Sequence, residues 1–216
     1  MNAMKMSRRT MLAGSAAAVT APVLATVLAR READQRPALR LAAAQTAAQT
    51  AASVSFSLQN NTLSDTVYAF VTGQALDDNG ALMLLEADGQ TPYYPASPSA
   101  AGSPLAVDCA IALNPSGGAP VTITVPRLAG ARLWFSIGTP LTFLLNPGPG
   151  LVEPSVTNPS DPNIDLQWDF CEFTYNDAEL FANISYVDFA CIPIALALTD
   201  SSGDTQRVAG LPSMTM

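Results

Sequence analysis

From Ser53 onward the sequence consists of short runs rich in Val, Ile, Phe, Tyr and Thr, separated by clusters of Gly, Pro, Asn and Asp. No run keeps the 3.6-residue period of a helix; only residues 176–183 could form a helical turn or two. This pattern, with 17 prolines and 13 glycines in the chain, predicts an all-β sandwich or barrel of about ten short strands. The candidate strands are SVSFSLQN, TVYAFVTGQ, LMLLEAD, LAVDCAIAL, VTITVPR, RLWFSIG, LTFLLN, LQWDFCEFTY, SYVDFACIPIAL and TQRVAG.

The N-terminal residues follow a different pattern. In residues 1–29 two basic residues, Arg8 and Arg9, precede an alanine-rich apolar run that ends in small residues. That is the architecture of an export signal, and the order SRRTML indicates the twin-arginine type and a bacterial protein. We expect cleavage after Ala29 or Ala25, a secreted or periplasmic location, and no stable membrane insertion afterwards. A retained membrane anchor is the alternative.

The rest of the chain divides into a spacer and one domain. Residues 30–52 are rich in alanine and glutamine and poor in bulky side chains, which predicts a disordered or weakly helical spacer. Residues 53–216 then form the domain. Within it, residues 144–165 hold five prolines and are predicted to form a long ordered loop. Because this loop directly precedes a strand with a candidate catalytic acid, it is a favourable place for substrate contacts.

The charge of the domain limits its partners. From Gln45 onward three arginines stand against sixteen Asp and Glu residues, a net charge of −13. Such a surface repels nucleic acid phosphates and anionic membranes, so we expect neither as a partner. Neutral polymers remain compatible with this charge.

The absence of histidine from the chain limits its chemistry. Ser-His-Asp and Cys-His catalysis and imidazole metal sites are excluded, and the only lysine is Lys5. Acid/base work must therefore fall to Asp, Glu, Tyr or Cys, and paired carboxylates are the natural candidates. The three cysteines, Cys109, Cys171 and Cys191, do not suit a disulfide framework, because an odd number cannot all pair. Their apolar neighbours favour buried thiols, with one bridge plus a free thiol as the alternative.

Two acids, Glu172 and Asp188, stand in apolar and aromatic surroundings. If residues 166–175 and 185–198 pair as a hairpin in which residue numbers sum to about 360, these acids face each other. Alternation then places both on one face of the sheet, which we call the acid face. Trp168, Phe170 and Thr174 share the acid face, whereas Cys171 and Cys191 point into the core.

Two acids flanked by aromatic rings suit the hydrolysis of glycosidic bonds. One carboxylic acid protonates the leaving oxygen, while the other carboxylate activates water or attacks the anomeric carbon. Aromatic rings can pack against the apolar faces of sugars. The alternatives are two solvated acids at a strand edge, or calcium ligands together with oxygens of residues 158–165. Those residues lack the order of an EF-hand loop, and we expect neither a metal nor a cofactor.

Longer motifs resemble a known family. DFCEFTYN (169–176) followed by NISYVDF (183–189), together with VYAFVTG (67–73), GARLWFS (130–136) and PSVTNPSDPN (154–163), is similar to glycoside hydrolase family 64. Its members are bacterial endo-β-1,3-glucanases related in fold to thaumatin-like proteins. The resemblance implies a thaumatin-like domain that hydrolyses β-1,3-glucan with inversion, with Glu172 as the general acid and Asp188 as the general base.

The resemblance also implies the substrate contacts. Thr174 and Asn176 are expected to hydrogen-bond the sugar, and Phe181 to stack on it where many relatives have tryptophan. Trp168, on the acid face, is the further candidate. The expected partner is a β-1,3-glucan such as laminarin or a fungal cell-wall polysaccharide, and the protein is expected to be a monomer.

Relatives in the family continue past the strand equivalent to 190–198 with an α/β portion that forms the other wall of the glucan groove. This chain ends at Met216, so a domain that is incomplete at its C-terminus is expected. A non-catalytic module that binds β-glucan or associates with the cell wall is therefore the alternative function.

Overall fold

Period-two burial defines the strands of the domain. In the strand that begins at Ser53, every second residue is buried, starting with Val54 and Phe56. The structure, a computed structural model, describes residues 24–26, 38–44, 53–200 and 202–211. Its strands are β1 Leu24–Thr26, β2 Ala38–Ala44, β3 Ser53–Asn61, β4 Val67–Ala75, β5 Ala81–Leu85, β6 Pro92–Tyr93, β7 Ser103–Pro104, β8 Ile111–Ala112, β9 Val121–Pro126, β10 Leu128–Ile137, β11 Leu144–Asn146, β12 Gly150–Val152, β13 Gln167–Tyr175, β14 Leu180–Ile184, β15 Ile194–Thr199 and β16 Thr205–Val208.

Two large sheets contain most of these strands. The first sheet has the order β16-β15-β1-β2-β3-β9, and the second has the order β14-β13-β10-β4-β5-β6, with β8 beside β4. A small third sheet has the order β12-β11-β7. The main core contains buried side chains of both large sheets, such as Phe56 of β3 and Phe173 of β13, whose ring centroids are 5.1 Å apart. The molecule is therefore a β-sandwich, as the sequence predicted.

The opposite face of the second sheet carries a smaller aromatic cluster. Phe70 of β4, Trp134 of β10 and Trp168 of β13 pack there against Leu141 and Phe143 of the segment before β11. Both faces of this sheet are thus partly covered, which explains the long apolar runs of β4 and β10.

A bulge in β10 sets which of its residues face the candidate site. Leu128 pairs with Tyr175, but Ala131 pairs with Phe173, so β10 has one extra residue between these two pairs. Gly130 lies in the bulge with a positive φ of 53°, a conformation that glycine adopts without steric cost. Because a one-residue shift exchanges the two faces of a strand, the bulge turns Ala131 into the core and Arg132 onto the opposite face.

Three predicted elements differ from the observed ones. The predicted strand 185–198 is wrong in its first half: the chain forms β14 at Leu180–Ile184 and β15 at Ile194–Thr199, with an irregular connector at 185–193. The connector crosses from the second sheet to the first, and Pro193 cannot donate to a ladder. The predicted helical turn at 176–183 is replaced by a tight turn and β14. The predicted loop 144–165 begins as the hairpin β11–β12.

The N-terminal predictions lie largely outside the described residues. Leu24–Thr26, within the predicted signal, and Ala38–Ala44, within the predicted spacer, are described as β1 and β2 of the first sheet. The structure thus has a strand where a disordered or weakly helical segment was predicted, because β2 gains ladder partners in both β3 and β15. Among the described residues, no helix has the length and apolarity to span a membrane.

Candidate active site

Glu172 lies at the centre of the acid face of β13, between two hydrogen-bonded neighbours. Its Cα partner on β10 is Arg132, and its Cα partner on β14 is Asn183. Arg132 Nε donates to Oε1 of Glu172 at 3.3 Å, and Asn183 Nδ2 donates to Oε2 at 3.3 Å. The Glu172 side chain is still 37% exposed. A carboxyl group is therefore held in a fixed orientation on a sheet face that solvent and ligands can reach.

A second carboxyl group, Glu153, meets the same arginine. Glu153 follows β12 directly, and Nη1 of Arg132 donates to its Oε2. Burial raises the pKa of Glu153; the nearby Arg132 charge opposes this rise and the Glu172 charge adds to it. Sequence reasoning missed Glu153, although it had singled out the loop that contains it as a place for substrate contacts. Spacing could not have paired it with Glu172, since the pairing runs through Arg132.

The segment that carries Glu153 is held firmly in place. The buried Asp161 accepts a hydrogen bond from the backbone N–H of Ser155 at 3.1 Å and from Nδ2 of Asn163 at 2.9 Å. Asn163 in turn accepts from the N–H of Thr142 at 2.7 Å and donates to its carbonyl at 2.9 Å. The proline-rich loop is thus ordered by buried side-chain hydrogen bonds, as the sequence predicted for it.

Aromatic rings surround the arginine. The guanidinium carbon of Arg132 lies 4.8 Å from the ring centroid of Phe170 and 5.4 Å from that of Trp134, within the range of a cation–π contact. Trp134 Nε1 donates to Thr72 Oγ1 at 3.0 Å. Arg132 is therefore fixed by two rings and two carboxylates.

Asp188 does not face Glu172 across a hairpin, so the predicted register is wrong. The hairpin β13–β14 pairs Glu172 with Asn183, five residues earlier in the chain. The turn at 176–179 is short, because Asn176 N–H already donates to the Glu179 carbonyl at 3.1 Å, and the strand ends at Ile184. Asp188 instead lies exposed in the connector 185–193.

The residue that follows Asp188 packs against the acid face. Phe189 lies on Trp168 with ring centroids 4.6 Å apart, and its ring centroid is 6.2 Å from that of Phe170. Both of these rings belong to the even-numbered side of β13, the side that carries Glu172. The packing of Phe189 thus brings the connector onto this side of β13, and a shared face for Asp188 and Glu172 stays a prediction.

Two polar side chains, one buried and one half-buried, fasten the connector. Asp169, on the core side of β13, accepts the backbone N–H groups of Cys191 at 2.8 Å and Ile192 at 3.0 Å, and also that of Phe170 at 2.9 Å. Burial nevertheless raises the pKa of Asp169. The hydroxyl of Tyr186 accepts the N–H of Ile194 at 2.8 Å, and burial raises its pKa to about 12. Asp188 is thus carried on a segment tethered at both ends.

The cysteines follow the prediction only in part. Cys109 and Cys171 are buried free thiols, as expected, and Cys171 points into the main core. Cys191 is also a free thiol but is exposed, so its predicted burial in the core is wrong. It lies in the connector rather than on a strand paired with β13, and strand alternation does not apply to it.

The predicted sugar-contacting residues occupy different environments. Thr174 and Phe181 face each other across β13 and β14, and Phe181 is 58% exposed, which leaves a ring face free for stacking beside Glu172. Asn176 uses its side-chain oxygen to accept the N–H groups of Ala178 and Glu179 at 2.8 and 3.0 Å. Trp168 is only 3% exposed, so its ring supports the acid face and leaves little surface for a sugar.

No metal centre is visible in the part of the chain that the structure describes. Groups of three or more His, Cys, Asp or Glu side chains that could hold an ion are absent there. Acidic oxygens around Glu172 are instead bridged by a cation, Arg132. The arrangement of carboxyl groups on an aromatic sheet face is one that acid/base cleavage of a glycosidic bond can use.

Comparison with known families leads to the same chemistry. The family model of glycoside hydrolase family 64, described as beta-1,3-glucanase, matches residues 52–216. The chain belongs to this family.

Individual relatives match over shorter stretches. Two proteins named glucan endo-1,3-beta-glucosidase, from Cellulosimicrobium cellulans and from Arthrobacter sp. (strain YCWD3), are each 36% identical over 83 residues, 38% of this chain and 15% of theirs. A crystal structure of a laminaripentaose-producing beta-1,3-glucanase in complex with laminaritetraose is 28% identical, with a TM-score of 0.64, and covers 74% of this chain and 43% of that one.

A more distant structure supports the fold alone. The family 64 laminaripentaose-producing beta-1,3-glucanase from Paenibacillus barengoltzii, complexed with laminarihexaose, is 17% identical, with a TM-score of 0.52, and covers 88% of this chain and 59% of that one. The chain thus spans less than two thirds of the length of these relatives.

Proposed function

We propose that the protein is an exported bacterial endo-β-1,3-glucanase that hydrolyses laminarin or fungal cell-wall glucan with inversion. Glu172 is the general acid and Asp188 the general base. The observation that carries this proposal is the placement of Glu172, in a family 64 chain, on an exposed sheet face beside the segment that holds Asp188.

The chemistry requires a defined distance between the two carboxyl groups. Inversion needs a separation of roughly 6.5–9.5 Å, so that a water molecule fits between the base and the sugar. The tethers at Tyr186 and Asp169 restrict where Asp188 can lie. A rigid segment of this kind suits a base that must hold a water molecule in one position.

The substrate contacts follow from exposure on the acid face. Phe181 offers an exposed ring and Thr174 a hydroxyl group one strand away, so a glucan chain lying across β13 and β14 would reach Glu172. A neutral polysaccharide is compatible with the negative charge of the domain. Export rests on the twin-arginine pattern of residues 7–12.

A second function is favoured by one observation. Both carboxylate oxygens of Glu172 already accept hydrogen bonds, from Arg132 and from Asn183. Proton donation to a leaving oxygen requires one of these contacts to be replaced. A module that binds β-1,3-glucan without cleaving it would have no such requirement.

A hydrolysis assay on the full chain separates the two functions. We expect the wild-type protein to release reducing sugar from laminarin, and Glu172→Gln to lower kcat by about 10²- to 10⁴-fold. Asp188→Asn should do the same, while Glu179→Gln, at an exposed acid in the β13–β14 turn, should be neutral. Proton NMR of fresh products should show the α-anomer first.

The contrary results are equally clear. Binding to insoluble β-1,3-glucan without turnover by the wild type would overturn the enzyme proposal and support the binding module. Full activity of Glu172→Gln would remove Glu172 from the acid role. A β-anomer as first product would contradict inversion.

A further inference from the structure

We propose that Glu153 is a positioning residue of the acid site: it holds the Arg132 guanidinium and thereby controls how readily Glu172 keeps the proton that it donates. The proposal rests on the proposed function of Glu172. It concerns a residue that is distant in sequence and that reaches Glu172 only through Arg132.

The geometry places one cation between two carboxylates. Arg132 donates through Nε to Glu172, at 3.3 Å, and through Nη1 to Glu153. The rings of Phe170 and Trp134 flank the guanidinium and limit its alternatives. Because a single guanidinium contacts both carboxylates, the strength of its interaction with Glu172 depends on how strongly Glu153 holds it.

The charged groups that contact Glu172 or its arginine come from two elements. β10 contributes Arg132, and the segment after β12 contributes Glu153; Asp188, in the connector, is the further carboxyl group that the proposed function assigns to the site. The facing residues of β4 and β14, Thr72 and Asn183, carry no charge. Of the residues paired with Glu172, Arg132 is thus the one that carries a positive charge. Glu153 is the second carboxylate that contacts this arginine.

This arrangement addresses a difficulty of the acid role. An arginine beside a carboxylate favours its ionised form, which cannot protonate a leaving group. A second carboxylate on the same arginine offsets that effect by balancing the positive charge. Burial raises the pKa of Glu153; the Arg132 charge lowers it, and the Glu172 charge adds to the rise. Because both carboxylates contact one guanidinium, each affects how strongly the arginine is held by the other.

The backbone is held in place on both sides of Glu153. The hairpin β11–β12 ends immediately before it, and two residues later the N–H of Ser155 is bound by the buried Asp161. Glu153 therefore sits between two anchored points. These two anchors fix the position from which its side chain contacts Arg132.

The first test is the pH dependence of kcat/KM on laminarin. A general acid loses activity as pH rises through the point where it gives up its proton. In Glu153→Gln, Arg132 is left to Glu172 alone, so we expect the alkaline limb to move to lower pH by about one to two units. The acidic limb should stay in place.

Matched variants separate this effect from general damage. Glu153→Asp keeps the charge and should restore much of the wild-type profile. Glu179→Gln makes the same change at an exposed acid of the turn after β13 and should shift neither limb. An unchanged alkaline limb in Glu153→Gln, with thermal unfolding like that of the wild type, would overturn the proposal.

The second test does not depend on turnover. The chain has five glutamates, so carboxyl ¹³C NMR of a glutamate-labelled sample can follow each one, and Glu→Gln variants assign the signals. In Glu172→Gln we expect the pKa of Glu153 to fall, since the Glu172 charge no longer raises it and Arg132 is no longer shared. No change would overturn the coupling. If the coupling is present while the wild type does not hydrolyse glucan, the coupling stands and the proposed enzymatic function fails.

Discussion

Asp169 shows how much one side chain can organise. It is completely buried, yet its two oxygens accept three backbone N–H groups, two of them from the connector that carries Asp188. A buried carboxylate is tolerated when it is hydrogen-bonded in this way. Asp169 therefore joins the strand of the proposed acid to the segment of the proposed base without touching either.

We expect Asp169→Asn to lower the free energy of unfolding by about 1–3 kcal/mol, because one oxygen is replaced by an amide group that cannot accept. The deficit should be largest at about pH 4 and smaller at about pH 7. Burial raises the pKa of Asp169, so between the pKa of the unfolded chain and that of the native protein only the native protein keeps this proton. Wild-type stability therefore falls as pH rises between these two pKa values. Urea unfolding at both pH values measures this.

The exposed Asp188 is the control for that measurement. Asp188→Asn makes the same chemical change in the connector that Asp169 holds, and should alter stability by less than about 0.5 kcal/mol. A deficit of Asp169→Asn that grows with pH would contradict the assigned role of burial.

Among the elements, β10 is the one whose irregularity determines the site. Without its extra residue, the register at Leu128 and Tyr175 would continue and place Ala131 opposite Glu172. Arg132 would then face the core, where an unpaired guanidinium is costly. The bulge is thus what allows one strand to supply both core side chains and the arginine of the site.

We expect Gly130→Ala to destabilise the fold by about 1–2 kcal/mol, the usual cost of the left-handed region for a residue with a Cβ atom. The added Cβ would meet no heavy atom within 4 Å, so the cost arises from the backbone conformation alone. Gly150→Ala is the control, because Gly150 has no positive φ and its Cβ would make ordinary contacts at 3.7 Å. Equal stabilities of the two variants in chemical denaturation would refute this account of the bulge.

The elements also show what sequence could and could not predict. Alternation identified β13 and its two faces, because one side of that strand packs in the core and local pattern reports burial. The register of β14 was not predictable, since it depends on a turn closed by Asn176 and Glu179. The apolar run 185–198 was predicted to be one strand, but within it the chain passes from the second sheet to the first. Glu153 was missed because its link to Glu172 exists only after β10 and the hairpin β11–β12 have folded.

At the scale of the whole molecule, the negative charge of the domain favours a neutral ligand. The described ion pairs gather around two arginines, Arg127 with Asp77 and Asp177, and Arg132 with the two site glutamates. The remaining acids leave the domain strongly negative. Kinship with thaumatin-like proteins stays a prediction from the resemblance, whereas the β-sandwich itself is confirmed.

We expect binding of laminarin oligosaccharides to change less than about twofold between 50 mM and 500 mM salt, because an uncharged ligand releases no counterions. Isothermal titration calorimetry on the full chain measures this directly. A sulfated polysaccharide of similar length serves as the comparison and should bind poorly at either salt concentration. A steep loss of laminarin affinity with salt would mean that charge, and not stacking and hydrogen bonding, holds the ligand.

The aromatic packing behind the acid face has a practical consequence. The chain has two tryptophans, Trp134 and Trp168, with ring centroids 5.8 Å apart, and one of them lies 5.4 Å from the Arg132 guanidinium. Indole emission responds to nearby charge, so the protein contains an optical reporter of this arginine. Unlabelled protein in a cuvette therefore gives a signal whenever a ligand displaces Arg132 from its carboxylates.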